Sequence, residues 1–304
     1  MRETPVVSRD YFVGYNMPMS KNVSSGSDLC RRPDNPQETY EVSNFYYSGF
    51  FAAEMSCSII KATNHHPKGY YYAVDITVSN ADVKLLKKVN RAVMKGSGII
   101  SPVKGAFNLS ARGKEKVRIV LDFLQKYPII VGDLAKNRIA ILRKALAYLD
   151  NHQGHVTHEE KTKIMDTMRR NLRMLKEKGV IEKSFDVEPV NTDAVGYFLS
   201  GVADGEGSFG SKMSGDRKEP YFFVAMKDQK IIDLFRKFIN YGNVRGRKDK
   251  VFHCEINKRD KLKEICTLFL LRYPLHNARQ KARLRELQRI LNDYTPSPAM
   301  AGMI

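Results

Sequence analysis

The chain has 304 residues, enough for two hydrophobic cores, and a formal net charge of +18 from 51 Lys and Arg against 33 Asp and Glu. Basic residues are spread along its whole length, which indicates a polyanionic partner. No apolar run approaches the roughly 18 residues of a membrane-spanning helix, and the N-terminus shows no apolar signal core, so we expect a soluble, unsecreted protein. The four cysteines form no CxxC pair, which argues for reduced thiols and against a structural zinc site.

An irregular arm is predicted before the first structured unit. Residues 1–41 contain turn-forming runs such as "SSGSD" and "RRPDNPQE" and no sustained period. Residues 42–131 then predict the order helix, strand, strand, helix, strand, strand, helix. The apolar run "NFYYSGFFAAEMSCSII" contains the first helix, and "GYYYAVDITVS", rich in aromatic and β-branched residues, is typical of a strand.

A helical linker and a second unit follow. Residues 132–191 predict two helices, the second with a methionine and leucine stripe that we interpret as core packing. Residues 192–294 repeat the element order of the first unit, and residues 295–304 form a tail. The spacings agree, because Glu54 and Glu206 lie 152 residues apart and Pro128 and Pro274 lie 146 apart. Two related repeats are therefore expected.

The stretch that occurs twice combines small residues with a terminal carboxylate. "YSGFFAAEM" (47–55) aligns with "LSGVADGEG" (199–207), and small residues on one helix face let two backbones pack closely, with Gly201 as an expected point of approach. An acid beside glycine is also ordinary turn chemistry, which is the alternative interpretation. If the two helices pack together, Glu54 and Glu206 meet, and a hard divalent cation such as Mg²⁺ would relieve their repulsion.

This doubled motif resembles that of the LAGLIDADG homing endonucleases in their single-chain, two-motif form. Residues 199–207 match the motif closely, whereas the first copy has Ala52 in place of the first acid and Met55 in place of the final glycine. The resemblance implies an α+β fold of two pseudo-twofold αββαββα repeats. Each repeat would carry a four-stranded antiparallel saddle sheet that binds DNA, with the motif helices packed at the centre.

The resemblance also implies a metal site and its assistants. It assigns Glu54 and Glu206, with the preceding Ala53 and Gly205, to Mg²⁺; Mn²⁺ is expected to substitute, and Ca²⁺ to bind without supporting cleavage. In the family, basic or polar side chains near the metals assist catalysis. The candidates after each "YP" pair are Lys136, His276 and Lys281. A histidine stands where the family usually has lysine, and an ordinary solvated helix start is the alternative interpretation.

The segment "GNVRGRKDKV" predicts direct recognition of bases. Strand alternation places Asn243, Arg245 and Arg247 on one face, with Val244 on the other. Arginine offers a donor pair to guanine and asparagine pairs with adenine, while contact with phosphate alone is the alternative. Further candidates for DNA contact are Lys61, Lys68, Lys104, Arg112, Lys212, Arg217, Lys218, Lys227 and Lys250.

Residues and resemblance together predict a monomeric, intron-encoded nuclease that hydrolyses both strands of a long, asymmetric duplex DNA site. We expect it inside the cell, with the DNA of its host genome or organelle. One alternative is a non-cleaving binder of the same fold, such as an intron-splicing maturase that binds intron RNA, and another is a basic structural protein. The acid lost at Ala52 favours the binder, whereas the acids kept at Glu54 and Glu206 favour the enzyme.

Overall fold

The structure, a computed structural model, describes residues 41–63, 70–151, 157–178, 191–215 and 217–293. The first repeat consists of α1 (Phe45–Glu54), β1 (Met55–Ala62), β2 (Tyr71–Asn80), α2 (Val83–Val93), β3 (Ile99–Val103), β4 (Ala106–Arg112) and α3 (Lys114–Lys126). The linker consists of α4 (Asp133–Asn151) and α5 (His158–Lys178). The second repeat consists of α6 (Thr192–Glu206), β5 (Gly207–Ser214), β6 (Arg217–Met226), α7 (Gln229–Ile239), β7 (Asn243–Gly246), β8 (Phe252–Ile256) and α8 (Arg259–Thr267), followed by a π-helical turn (Leu268–Arg272) and α9 (Ala278–Asn292).

Each repeat contains a four-stranded antiparallel sheet, with strand order β1-β2-β4-β3 in the first and β5-β6-β8-β7 in the second. Side chains alternate between a core face and an outer face, so Val74, Ile76 and Val78 of β2 are fully buried while Thr77 and Ser79 lie on the outer face. Amphipathic helices cover the core faces with their leucine and valine stripes. The predicted α+β fold class, with its two αββαββα repeats, is confirmed.

The motif helices α1 and α6 run parallel to each other through the centre of the molecule and pack backbone against backbone. A Cβ atom on Gly49 would lie 1.8 Å from the carbonyl oxygen of Phe198, and one on Gly201 would lie 1.9 Å from that of Tyr46. These two crossing points, which we call the glycine seam, are equivalent in the two repeats. No side chain fits at either point, so the predicted close approach at Gly201 is confirmed.

Each repeat also caps a helix that follows the other repeat. Asp82, the N-cap of α2, accepts a hydrogen bond from the backbone N–H of Ala278 at the start of α9 (3.0 Å). Asp228, which precedes α7, accepts one from Leu134 in the first turn of α4 (2.9 Å). The carboxylates satisfy helix N–H groups that lack a partner within the helix. The two halves are therefore joined by a pair of matching polar contacts.

The linker helices pack on the core side of the first sheet and reach both repeats. Lys61 of β1 forms an ion pair with Asp166 of α5 (3.2 Å), and Lys227 donates to the carbonyl of Lys176 near the end of α5 (3.3 Å). The apolar residues of α4 and α5 that are buried include Leu142, Leu146, Met165, Leu172 and Leu175. The methionine and leucine stripe is thus core packing, as predicted. Among the described helices, none is long and apolar enough to cross a membrane.

Candidate metal and nucleic-acid site

The parallel motif helices bring two carboxylates together at their C-terminal ends. Glu54 is the last residue of α1 and Glu206 the last residue of α6. A Cβ atom on Gly205 would lie 2.8 Å from the Cβ of Ala53 and 3.4 Å from Oε1 of Glu54. The Glu54 side chain therefore lies beside the backbone that leads into Glu206, where a Cβ at residue 205 would crowd Ala53 and the Glu54 Cγ.

Among the described residues, no cationic side chain pairs with either carboxylate. Burial and then the neighbouring Glu206 charge raise the pKa of Glu54 to about 8, opposed by a hydrogen bond from Asn80. Burial also raises the pKa of Glu206, although that residue keeps access to solvent. Their repulsion is mutual, so ionising one makes the second proton harder to remove. Within the described ranges, no lysine or arginine forms an ion pair with either group.

The donor set fits a hard divalent cation. Two helix C-termini add their partial negative charge at this point, and the last-turn carbonyl groups of Ala53 and Gly205 have no helical donor. In the part of the chain that the structure describes, no three His, Cys, Asp or Glu residues cluster. The protein thus offers two carboxylates and backbone oxygens, a set typical of a cation that also binds water and phosphate.

Asp204, two residues before Glu206, has a structural task. It is buried, and its Oδ2 accepts hydrogen bonds from the Tyr46 hydroxyl (2.6 Å) and from the backbone N–H groups of His276 and Asn277 (3.0 Å for Asn277). Burial raises the pKa of Asp204 to about 6 against the opposing effect of these bonds. Asp204 therefore fastens α6 to α1 and to the turn before α9, and it is not part of the carboxylate pair.

The three predicted assistants lie near the turns that follow the "YP" pairs. The His276 ring stacks on Tyr46 with ring centroids 3.9 Å apart, and burial with two nearby lysines lowers its pKa to about 4, so the imidazole is neutral at pH 7. Lys281 lies close to Asp204, and Lys136 donates to the carbonyl of Ile130 (2.9 Å). Within the described ranges, no hydrogen bond or ion pair joins His276 or Lys281 to Glu54 or Glu206.

Three side chains next to the carboxylates were not predicted. Asn80 donates to Glu54, Gln280 donates to the carbonyl of Gly207 (2.6 Å), and Arg138 donates to the carbonyl of Met55 (2.7 Å). Gly207 and Met55 are the residues that directly follow the two carboxylates, so both turns from helix into strand are held by a side chain. The partners are 73 and 83 residues apart in sequence, and no local pattern announces such contacts.

The outer face of the second sheet carries charged and aromatic groups. Asn243 and Arg245 are exposed on β7, and Val244 pairs with buried Cys254, so the predicted alternation holds for these residues. Arg247 lies beyond the end of β7 and forms an ion pair with Asp249 (3.1 Å). The outer face therefore presents an arginine and an asparagine side by side, the donor arrangement that suits base edges.

The outer face of the first sheet is nearly neutral. Its hydroxyl and amide groups include Ser56, Ser58, Thr77, Ser79, Asn108 and Ser110. Arg112 lies 3.5 Å from Asp75, so the two charges on this face offset each other. The high net charge of the chain is therefore located mostly elsewhere, on helices and turns.

The remaining predicted DNA contacts fall into different settings. Lys104 and Lys250 are exposed in the β3–β4 and β7–β8 turns, and Lys212 forms an ion pair with Glu255 (3.2 Å). Lys61 and Lys227 contact the linker helix α5, as described above. Arg217 and Lys218 begin β6, with Lys218 exposed, and Lys68 lies outside the described residues.

Comparison with solved structures identifies the fold. No family model matches the sequence, and no curated protein matches it. Among solved structures, the LAGLIDADG homing endonuclease I-GzeII in complex with DNA target has a TM-score of 0.66 at 16% identity, covering 82% of this chain and 89% of that one. I-LtrWI bound to target DNA gives 0.68 at 17%, covering 83% and 90%. I-SmaMI bound to cleaved DNA gives 0.67 at 16%, covering 82% and 88%. The chain has the LAGLIDADG homing endonuclease fold, with both repeats in one chain.

Proposed function

We propose that this protein is a divalent-metal-dependent endonuclease that cuts both strands of a long, asymmetric duplex DNA site as a monomer. The observation that supports it most is the pair of uncompensated carboxylates, Glu54 and Glu206, at the ends of helices fixed by the glycine seam. They lie between two sheets whose outer faces are open to solvent. Solved relatives of the fold are described with target DNA and with cleaved DNA.

Each part of the site has a task in this proposal. Glu54 and Glu206 would hold Mg²⁺, which when bound stabilises the attacking and leaving oxygens of the phosphodiester. Gln280 and Arg138 fix the two turns that begin the first strand of each sheet, so the carboxylates and outer faces keep one relative position. Asn243 and Arg245 would select bases, while exposed turn lysines such as Lys104 would contact phosphate.

The rival function is a binder of the same fold that does not cut, acting on intron RNA or regulating DNA. It is favoured by the missing acid at Ala52. The structure weakens that argument, because Asp204 serves as a fastener in the second repeat and not as a member of the carboxylate pair. Losing its counterpart at Ala52 therefore leaves both carboxylates in place.

The test is cleavage of a randomised duplex library by the full chain, with Mg²⁺, with Ca²⁺ and with chelator. We expect a selected, non-palindromic sequence to be cut on both strands with Mg²⁺ or Mn²⁺ and bound uncut with Ca²⁺. Tight binding of a selected duplex without cleavage in any metal would support the binder instead. If the protein sediments as a dimer and selects palindromic sites, the proposed monomer is contradicted.

A further inference from the structure

Glu54 belongs to a chain of hydrogen bonds that crosses from one repeat to the other. Asn80, the last residue of β2, donates its side-chain amide to Glu54. The Asn80 Oδ1 accepts from Nδ2 of Asn277 (3.1 Å) and from the backbone N–H of Asp82 (2.9 Å). Asn277 is the buried N-cap of α9, and its own Oδ1 accepts from the N–H groups of Arg279 and Gln280 (3.0 and 3.2 Å).

These bonds leave the two amides little freedom. Nδ2 of Asn277 donates to Asn80 because its Oδ1 is committed to the helix N-terminus. The oxygen of Asn80 therefore points toward Asn277 and Asp82, and only its N–H₂ group remains for Glu54. We call this chain from α9 through Asn277 and Asn80 to Glu54 the amide relay.

Among the described residues of the other half, no equivalent relay is present. The residue at the end of β6 that corresponds to Asn80 is the buried Met226, and Val131 and Gly132 precede α4 where Asn277 precedes α9. None of these side chains donates a hydrogen bond. Asp82 and Asp228 make matching helix-cap contacts in the two halves. The two halves therefore differ in the side chains around their carboxylates and not in these backbone contacts. Glu54 is held by an amide, and Glu206 is not.

We propose that Asn80 and Asn277 are positioning residues that fix Glu54, so that the two carboxylates serve the two DNA strands unequally. The inference rests on the proposed nuclease function. The pseudo-twofold axis exchanges Glu54 with Glu206 and, in a bound duplex, one cut phosphate with the other. A device present on one side of that axis therefore acts on one strand more than on the other.

The decisive variant is Asn277→Asp, because it removes the donor and keeps the helix cap. Aspartate caps a helix N-terminus as well as asparagine does, so α9 stays capped. A carboxylate at this position accepts only, so the Asn80 amide must turn its N–H₂ group toward residue 277 and its oxygen toward Glu54. Asn80→Leu removes the relay with a side chain of similar size. Met226→Leu is the matched control at the equivalent strand end.

The cleavage readout uses a supercoiled plasmid carrying the selected site and a duplex labelled separately on each strand. We expect Asn277→Asp and Asn80→Leu to slow one strand by about tenfold or more, so that nicked circle accumulates, a loss of about 1.4 kcal/mol of transition-state stabilisation. Met226→Leu should cut both strands as the wild type does. Equal slowing of both strands in the two relay variants would overturn the proposal.

A second readout needs neither metal nor cleavage. In the metal-free wild type, the side-chain N–H₂ resonances of Asn80, assigned by their loss in Asn80→Leu, should exchange with solvent at least about tenfold more slowly than a free amide. Asn277→Asp should abolish this protection while leaving the melting temperature within a few degrees. A freely exchanging Asn80 amide in the wild type would overturn the relay. If the wild type never cuts DNA but the protection is present, the nuclease function fails and the relay stands.

Discussion

At the position of Asp204 the second repeat has a buried polar cluster, whereas the equivalent position of the first repeat has apolar side chains. Asp204 accepts from the Tyr46 hydroxyl and from two backbone N–H groups. The positions 152 residues away from this pair are Ala52 and Phe198, both buried and both without a polar group. The acid and the hydroxyl are thus absent together, and the helix seam between them is unchanged. The first motif has a complete apolar contact where the second has a complete polar one.

The outer faces of the two sheets also differ in the chemistry of their side chains. The first carries serine, threonine and asparagine groups with the Arg112–Asp75 ion pair, and the second carries Asn243, Arg245 and the Lys212–Glu255 ion pair beside the rings of Phe223 and His253. Neutral hydroxyls and charged forks recognise different base edges. The two halves of a bound duplex should therefore be read by different chemistry, which is the physical basis for expecting an asymmetric target.

The largest expected effect tests what the repeats share, the carboxylate pair. Glu206→Gln keeps the shape of the side chain but removes charge, so cleavage in Mg²⁺ should fall by a factor of about 10³ or more. Glu54→Gln should behave alike despite its altered motif. Metal-free DNA binding at pH 7 should stay level or strengthen in Glu206→Gln, because one negative charge near the phosphates is gone, and should stay level in Glu54→Gln, because Glu54 holds a proton below about pH 8. Cleavage at the wild-type rate by Glu54→Gln would show that one carboxylate suffices.

The glycine seam should be equally intolerant in both repeats. Gly49→Ala and Gly201→Ala would each place a Cβ within 2 Å of a carbonyl oxygen, so the helices must separate. We expect each to lower the free energy of unfolding by about 3 kcal/mol or more, measured by chemical denaturation. Gly210→Ala, whose Cβ would lie 3.4 Å from the nearest atom, is the control and should cost less than about 1 kcal/mol. A clear difference between the two seam variants would contradict their equivalence.

The raised pKa of Glu54 makes the metal-free protein sensitive to pH. Between the ordinary value of 4.5 and about 8, the folded protein keeps a proton on Glu54 that the unfolded chain has lost. The free energy of unfolding must therefore fall as pH rises through this window and level off above it, by an amount on the order of a few kcal/mol. Glu54→Gln should flatten the slope, as measured by denaturation at several pH values. A slope unchanged by Glu54→Gln would mean that another group binds the proton.

The charged outer face should govern base preference on one side of the target only. Arg245→Ala is expected to relax preference at one or two base pairs by about 1–3 kcal/mol, as read from selection on randomised duplexes. Lys104→Ala, in an exposed turn of the first repeat, should weaken all sequences alike and reduce the salt dependence of binding by about one phosphate contact. Uniform weakening by Arg245→Ala would make it a phosphate contact as well.

The smallest effect concerns the buried polar cluster, in a double-mutant cycle. Tyr46→Phe removes a donor to Asp204, and Asp204→Ala leaves the Tyr46 hydroxyl and two N–H groups without their acceptor. The double variant recreates the apolar pair of the first repeat at this place. Its loss of stability should be less than the sum of the single losses by about 1 kcal/mol. Strict additivity would show that the two groups stabilise the helices independently.

Much of this architecture was predictable, since it depends on patterns within each segment. The element order of both repeats followed from hydrophobic periodicity and from spacings such as that between Pro128 and Pro274. The close approach at Gly201 followed from small residues on one helix face. Such signals are local or repeated, so a single sequence contains them.

The hydrogen bonds that support the carboxylates were not predictable, because they join residues that are far apart in the sequence. Asn80 and Asn277 are 197 residues apart, and each looks like an ordinary turn or cap residue in its own segment. His276 was a candidate to assist catalysis, and its burial against Tyr46 and its neutral imidazole at pH 7 were not apparent from the sequence. Lys61 was a candidate for DNA contact, yet it lies on the core face of β1 with Met55 and Ile59, and its ammonium contacts Asp166, 105 residues away. Contacts of this kind depend on the assembled fold.

The glycine seam separates what the protein can change from what it must keep. The distance between the two motif helices is set by backbone atoms at both crossing points, and no side chain of either sheet enters there. Substitutions on the outer faces therefore leave the separation of the two carboxylates unchanged. Under the proposed function, a designer could therefore change the DNA site by substitutions on the outer faces alone, without altering the helix pair that positions the carboxylates.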